Sequence, residues 1–273
     1  MTMIWFEKDR IPEGSWPFLN ATHAGLRDLE TTLVDRLDLT EGTGSLLITG
    51  CMQAYRQAVM RRTLDLAQSV IVLWNAGLLT GSVVSARALL ETISTYYSFL
   101  ERTKQAAAEH NWTRIGKLVD AYSFSTMAGT NKRERSAEHP PRVGQAVVDF
   151  IKATQPDAVQ FWEQICDVAH PNGKQMLSIA GDLRDCRYDG RTAVENGPVL
   201  FLAVFNCLYS CCWLIASDTD FEILLEQIRR GGDLPADHPL IVGRELIDGV
   251  VRQVAQGYGK MQVGPRKTKK ERR

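Results

Sequence analysis

The sequence predicts an all-α fold, a single-domain helical bundle with a disordered basic C-terminal tail. Three observations predict it. Apolar residues recur at three- and four-residue steps along most of the chain, the period of an amphipathic helix. The 273 residues are 44% apolar and 23% charged, an ordinary globular balance with enough chain to bury a sizeable core. One long segment is apolar on several faces and so predicts a central, buried helix. The bundle is expected over residues 20–256, after an N-terminal extension at 1–19 and before a flexible tail at 257–273.

A first helix is expected over 20–39, where Leu26, Leu29, Leu33, Val34 and Leu37 form one stripe. Thr22 reads as its start and Gly42-Thr43-Gly44 as its stop. A second is expected over 50–75, polar at first (Gln53, Arg56, Arg61, Arg62) and then apolar from Val70 to Trp74. Gly77 and Gly81 separate it from a third helix over 82–108, the candidate central element, carrying Leu89, Leu90, Ile93, Tyr96, Phe99 and Leu100. A fourth is placed at 111–128, and the charged stretch 129–144 with Pro140-Pro141 reads as a loop. Helices at 143–154 and 157–169 follow, the latter stopped before Pro171-Asn172-Gly173. The span 173–197 lacks a clean period and reads as loop with a short hairpin. Helix returns over Val199–Ala216, continues over Asp218–Arg230, and a last short helix fits 239–256.

Val199–Ala216 carries no charge over 18 residues, long enough to span a bilayer. Asn206, Tyr209 and Ser210 interrupt it, and acids rather than basic residues follow it, so a topology-setting flank is missing. A buried core helix is the reading taken, with no membrane partner.

Lysine plus arginine (32) equals aspartate plus glutamate (32), so no global field points to nucleic acid or membrane. The balance is uneven: Arg266, Lys267, Lys269, Lys270, Arg272 and Arg273 crowd the last eight residues, candidates for contact with nucleic-acid phosphates. Such a charge run serves solubility equally well. Arg56, Arg61, Arg62, Lys104 and Lys117 read as a solvated basic face. Six cysteines are too few for a disulfide scaffold and the N-terminus lacks a signal pattern, so a reducing cytoplasm is expected. Dinucleotide, Walker, zincin and α/β-hydrolase motifs are absent, and no cofactor is expected.

Two polar insertions carry the functional reading. Arg87 and Glu91 lie four apart on the apolar third helix and share one face. Ions in apolar surroundings need partners or a wet cleft, because desolvation costs several kcal/mol each. The second insertion, Asp167-Val-Ala-His170-Pro-Asn172-Gly173, ends an aromatic helix. The dipole at a helix C-terminus favours protonated histidine, and Pro171 sets His170 at a helix-to-loop corner. Arg87, Glu91 and His170 are read either as a cleft for phosphate or another small anion, with Asn172 as a further donor, or as a satisfied polar cluster that locks helix register. Zinc is a weaker alternative: Cys166 and His170, and Cys207, Cys211 and Cys212, could face one another, but the two-residue cysteine spacing of compact zinc sites is missing. The expected metal content is none.

An arginine–glutamate pair on a long apolar helix, then an aromatic helix ending in His-Pro-Asn-Gly, resembles the uncharacterised bacterial all-α proteins related to the HEPN superfamily, over roughly residues 50–220. The resemblance implies a helical bundle of defence or toxin–antitoxin type and metal-independent endoribonuclease activity. It also implies RNA as substrate, an antitoxin or defence component as protein partner, and a homodimer that builds a composite site. The residues it carries over are Arg87, Glu91, His170 and Asn172. The usual nuclease motif sets an arginine four to six residues before a histidine on one helix, and nothing precedes His170 in that way. The literal match, Arg133 to His139, falls in a charged loop before two prolines, and about one such spacing is expected by chance. A non-catalytic protein-interaction module is the competing class.

Overall fold

The computed structural model describes residues 4–11, 16–37, 45–123, 138–169, 182–184, 187–189 and 197–231. Eight α-helices are found among them. They are α1 (Trp16–Thr31), α2 (Ser45–Asn75), α3 (Leu79–Ala108), α4 (Trp112–Ser123), α5 (Val143–Thr154), α6 (Val159–Ala169), α7 (Gly197–Ala216) and α8 (Asp218–Arg230). Short 3₁₀ turns occupy Lys8–Arg10 and Pro156–Ala158. Two short antiparallel strands, β1 (Asp182–Arg184) and β2 (Arg187–Asp189), pair Leu183 with Tyr188. The architecture is all-α, as the periodicity predicts.

The long helices α2 and α3 form an antiparallel pair around a tight turn. Gly77 adopts φ +72°, its N–H bonds to the Trp74 carbonyl, and the Leu78 N–H reaches back to Leu73. This is a Schellman motif, and a residue without Cβ takes the left-handed position at no steric cost. Gly81, read from sequence as punctuation, lies inside α3, where a Cβ would meet Leu73 at 3.2 Å and close the gap between the two helices. At the far end of α3 the same motif recurs with His110 at φ 51°. Asn111 then caps α4, its Oδ1 accepting the Arg114 N–H at 3.1 Å.

α3 is the centre of the bundle. It packs against α2, α4, α5, α6, α7 and α8, and buries Val83, Ala86, Leu89, Leu90, Ile93, Tyr96, Phe99 and Leu100. α7 lies against α1, α3 and α6. Among the described residues it is the one helix long and apolar enough to cross a membrane, and half of the Val199–Ala216 window is buried inside the protein. Phe201, Val204, Cys207, Leu208, Cys211 and Leu214 make that inward face. The buried residues of all eight helices merge into one hydrophobic cluster.

α1 departs from expectation at both ends. It starts at Trp16 with Pro17 in the first turn, where a missing N–H costs nothing, and Thr22 is a fully buried interior residue rather than its cap. It stops at Thr31, so Val34 and Leu37 leave the stripe and stand exposed. The cause is tertiary: Gln57 of α2 accepts from the Val34 N–H at 3.0 Å and donates to the Thr32 carbonyl at 3.1 Å, drawing this backbone off the helical path. The expected fourth helix is described to Ser123, and residues 124–128, like the helix expected at 239–256, lie outside the described residues.

Candidate functional site

Arg87 and Glu91 sit one turn apart on α3, and the structure joins them as their spacing predicts. The Arg87 Nε donates to Glu91 Oε1 at 2.8 Å. Both side chains are about a quarter exposed, 25% and 28%, so the pair is neither sealed in the core nor fully solvated. It lies where α3 meets α6, because Ala86, Leu89 and Leu90 bury the adjoining face of α3 while Trp162 and Ile165 bury α6. The Trp162 ring faces the Arg87 guanidinium at 5.7 Å, a cation–π contact between α3 and α6.

Cys166 follows Trp162 by one turn of α6 and shares this corner. Burial pushes its thiol above the ordinary value; the Arg87 charge opposes that, while Glu91, Asp167 and Glu163 reinforce it. A thiol so held is mostly protonated near neutrality and makes a poor nucleophile. On the α7 side, burial also raises the Cys207 thiol, with Cys166 adding to the effect. The corner therefore gathers one cation, Arg87, with the Glu91, Asp167 and Glu163 carboxylates and the Cys166 thiol, while the Cys207 thiol lies buried behind it on α7.

His170 and Asn172, the other two expected members, lie outside the described residues, as does the basic tail from Arg266 to Arg273. The last described residue of α6 is Ala169, directly before His170. The Arg133 limb of the arginine–histidine spacing is also outside; the His139 carbonyl accepts from Arg102 Nη1 at 2.9 Å. No three His, Cys, Asp or Glu side chains converge as metal ligands among the described residues.

A second ionic centre was hidden from sequence reasoning. Arg56, expected on a solvated face, is 9% exposed and ion-paired to Asp218 at the start of α8. Its guanidinium lies 5.0 Å over the Phe221 ring, and its Nε has no hydrogen-bond partner. A sequence separation of 162 positions between Arg56 and Asp218 left no local signal of the pair. Lys104, also read as solvated, is bound to Asp220 at 2.7 Å and Glu101 at 3.1 Å. Arg61 and Arg62 are exposed as expected. An open groove of about 740 Å³ separates His110 and Trp112 from Glu222, Ile223 and Glu226 of α8. The Trp112 ring there lies against the Gly231 backbone, at 2.1 Å from where a Cβ would stand.

No family model, curated protein or solved structure matches the chain.

Proposed function

We propose that this chain is a HEPN-like helical protein of defence or toxin–antitoxin type that acts as a metal-independent endoribonuclease, with the α3–α6 corner as its phosphate-binding centre. One observation carries the reading. The Arg87 guanidinium is braced by Glu91 and Trp162 yet remains a quarter exposed, the state a cation needs to meet an incoming phosphate without first being ordered. In this reading His170 takes the proton of a ribose 2′-hydroxyl as its oxygen attacks phosphorus. The P–O5′ bond breaks, the departing oxygen takes up the proton that His170 had accepted, and a 2′,3′-cyclic phosphate remains. Arg87 stabilises the added negative charge of the phosphorane, Glu91 holds Arg87, and Asn172 donates to a non-bridging oxygen. The basic tail adds sequence-independent, salt-sensitive contact with RNA. A homodimer, working in the cytoplasm beside a protein partner, completes the proposal.

The test is cleavage of end-labelled RNA by the purified full-length chain, with and without EDTA. Wild type is expected to cleave in both. Arg87→Gln is expected to lose about 10²–10³-fold in rate, the cost of removing one transition-state donor, and His170→Ala to abolish turnover. Melting curves of each variant separate lost chemistry from lost fold. Wild-type protein that neither binds nor cleaves RNA overturns the proposal, as do variants that melt early but cleave normally per folded molecule.

The competing reading, a non-catalytic interaction module, is favoured by the exposure of Val199, Leu202 and Tyr209 on α7. It predicts no RNA turnover and an Arg87 whose replacement changes stability alone.

A further inference from the structure

The chain begins its described course not as a helix but as an extended segment, Ile4-Trp5-Phe6-Glu7, laid along α2. Two side-chain amides of that helix hold its backbone. Gln68 Oε1 accepts the Ile4 N–H at 3.1 Å and Gln68 Nε2 reaches the Ile4 carbonyl at 3.5 Å. Seven residues on, Asn75 Oδ1 accepts the Glu7 N–H at 3.0 Å and Asn75 Nδ2 donates to the Trp5 carbonyl at 2.9 Å. Seven residues are two helical turns, so both amides project from one face at a separation that suits three steps of extended chain. These contacts read backbone and not side chains, as β-strand addition does.

Between the amides the groove takes side chains. Phe6 is 5% exposed and packs edge-on against Phe201 of α7 at 5.4 Å; Trp74 of α2 meets the same Phe201 at 5.1 Å. Trp5 stacks on His23 of α1 at 4.2 Å and an interplanar angle of 16°. The groove is thus a built peptide site: an amide ladder on α2, one aromatic pocket shared with α7, and one aromatic platform on α1. Its occupant is held imperfectly. The Trp5 indole Nε1 is buried with no acceptor, and the bonds at Ile4 and Glu7 are open to water, which competes for them. In sequence only Pro12-Glu13-Gly14-Ser15 separates the segment's end at Ile11 from α1.

We propose that this groove is a peptide-docking site that accepts the Ile-Trp-Phe-Glu segment of a second copy of the chain, and that residues 4–7 are its displaceable occupant in cis. Every copy carries the matching segment, and the contacts made in cis are the contacts available in trans. Strap exchange therefore needs no new interface chemistry.

The probe is a fluorescein-labelled peptide of residues 1–11, titrated by anisotropy into full-length proteins. Full-length Trp5→Ala/Phe6→Ala, whose own strap lacks its anchors, is expected to bind the peptide at least about 10-fold more tightly than wild type, because a tethered strap competes at high effective concentration. Adding Gln68→Ala and Asn75→Ala is expected to weaken that binding at least about 10-fold. In unaltered full-length protein, excess unlabelled peptide is expected to accelerate hydrogen exchange at the Ile4 and Glu7 amides. A cooperatively melting Trp5→Ala/Phe6→Ala protein that ignores the peptide overturns the proposal. So does exchange at Ile4 and Glu7 that stays unchanged under saturating peptide, a result that needs no variant to fold.

Discussion

Removing Asp218 should expose how much of the interior depends on one ion pair. Arg56 is 9% exposed and its Nε is unbonded, so its charge is offset chiefly by the Asp218 carboxylate, with the Phe221 ring face and the Tyr96 hydroxyl beside it. Breaking a fully buried pair by deleting one partner costs about 3–5 kcal/mol. Asp218 is 45% exposed, so water replaces part of the lost carboxylate, and Asp218→Ala is expected to cost about 2–3 kcal/mol. Asp218 also opens α8, where a negative charge near the helix N-terminus contributes about 0.3–1 kcal/mol of its own. Arg56→Met separates the two contributions: it keeps an unbranched stem in the same space and removes the charge. In that background Asp218→Ala should cost only the dipole share. Urea midpoints of the four proteins measure the cycle, and thermal melts should show the single Asp218→Ala loss as roughly 4–12 °C. An Asp218→Ala cost that is the same with and without Arg56 would show that the buried guanidinium is not what the carboxylate serves.

Further outcomes follow from other features. Gly77 and His110 occupy the same left-handed cap position after α2 and after α3, so His110→Gly should stabilise and Gly77→Ala destabilise, each by about 1 kcal/mol in thermal unfolding; a loss on His110→Gly would mean its ring contributes more than its backbone costs. Thr63 and Ser94 bury hydroxyls with no partner, so Thr63→Val and Ser94→Ala should each raise the melting temperature, by up to about 1 kcal/mol of stability; a drop in either refutes the orphan assignment. His23 titrates below its ordinary 6.5, first because burial disfavours the cation and second because Arg27 repels it. The unfolded chain therefore takes up the proton first as pH falls. Stability should be full above about pH 6.5 and decline below it until the folded imidazole also protonates, a slope that His23→Gln should flatten in melts between about pH 7.5 and 5.

The helices were legible where local physics decides them. Those at 143–154 and 218–230 need only a periodic stripe, with Pro140-Pro141 before the first and the 199–216 helix running into the second, and the structure starts and ends them where the sequence does. Arg87 and Glu91 were legible for the same reason, since a four-residue spacing on a helix is itself a distance. Reading failed where a distant group overrides the local pattern. Periodicity carried the first helix through Val34 and Leu37, but Gln57 claims that backbone from another helix. Arg56 looks like any surface arginine on a polar half-helix until α8 arrives across 162 residues. Trp162 over Arg87 belongs to the same class, two unremarkable positions whose meeting depends on how α6 docks. The extended segment at Ile4–Glu7 left no periodic trace because its partners are side-chain amides rather than another strand.

The position of α7 has a consequence for how the protein is made. Its slot is walled by α1 and α3, which leave the ribosome well before it, since about 90 residues intervene between the end of α3 and the start of α7. At about 5–20 residues per second the nascent chain carries that open greasy trough for roughly 5–20 s. The helix that fills it then emerges as eighteen uncharged residues in succession. Co-translational chaperones bind such surfaces, so yield should depend on them far more than the stability of the finished molecule would suggest.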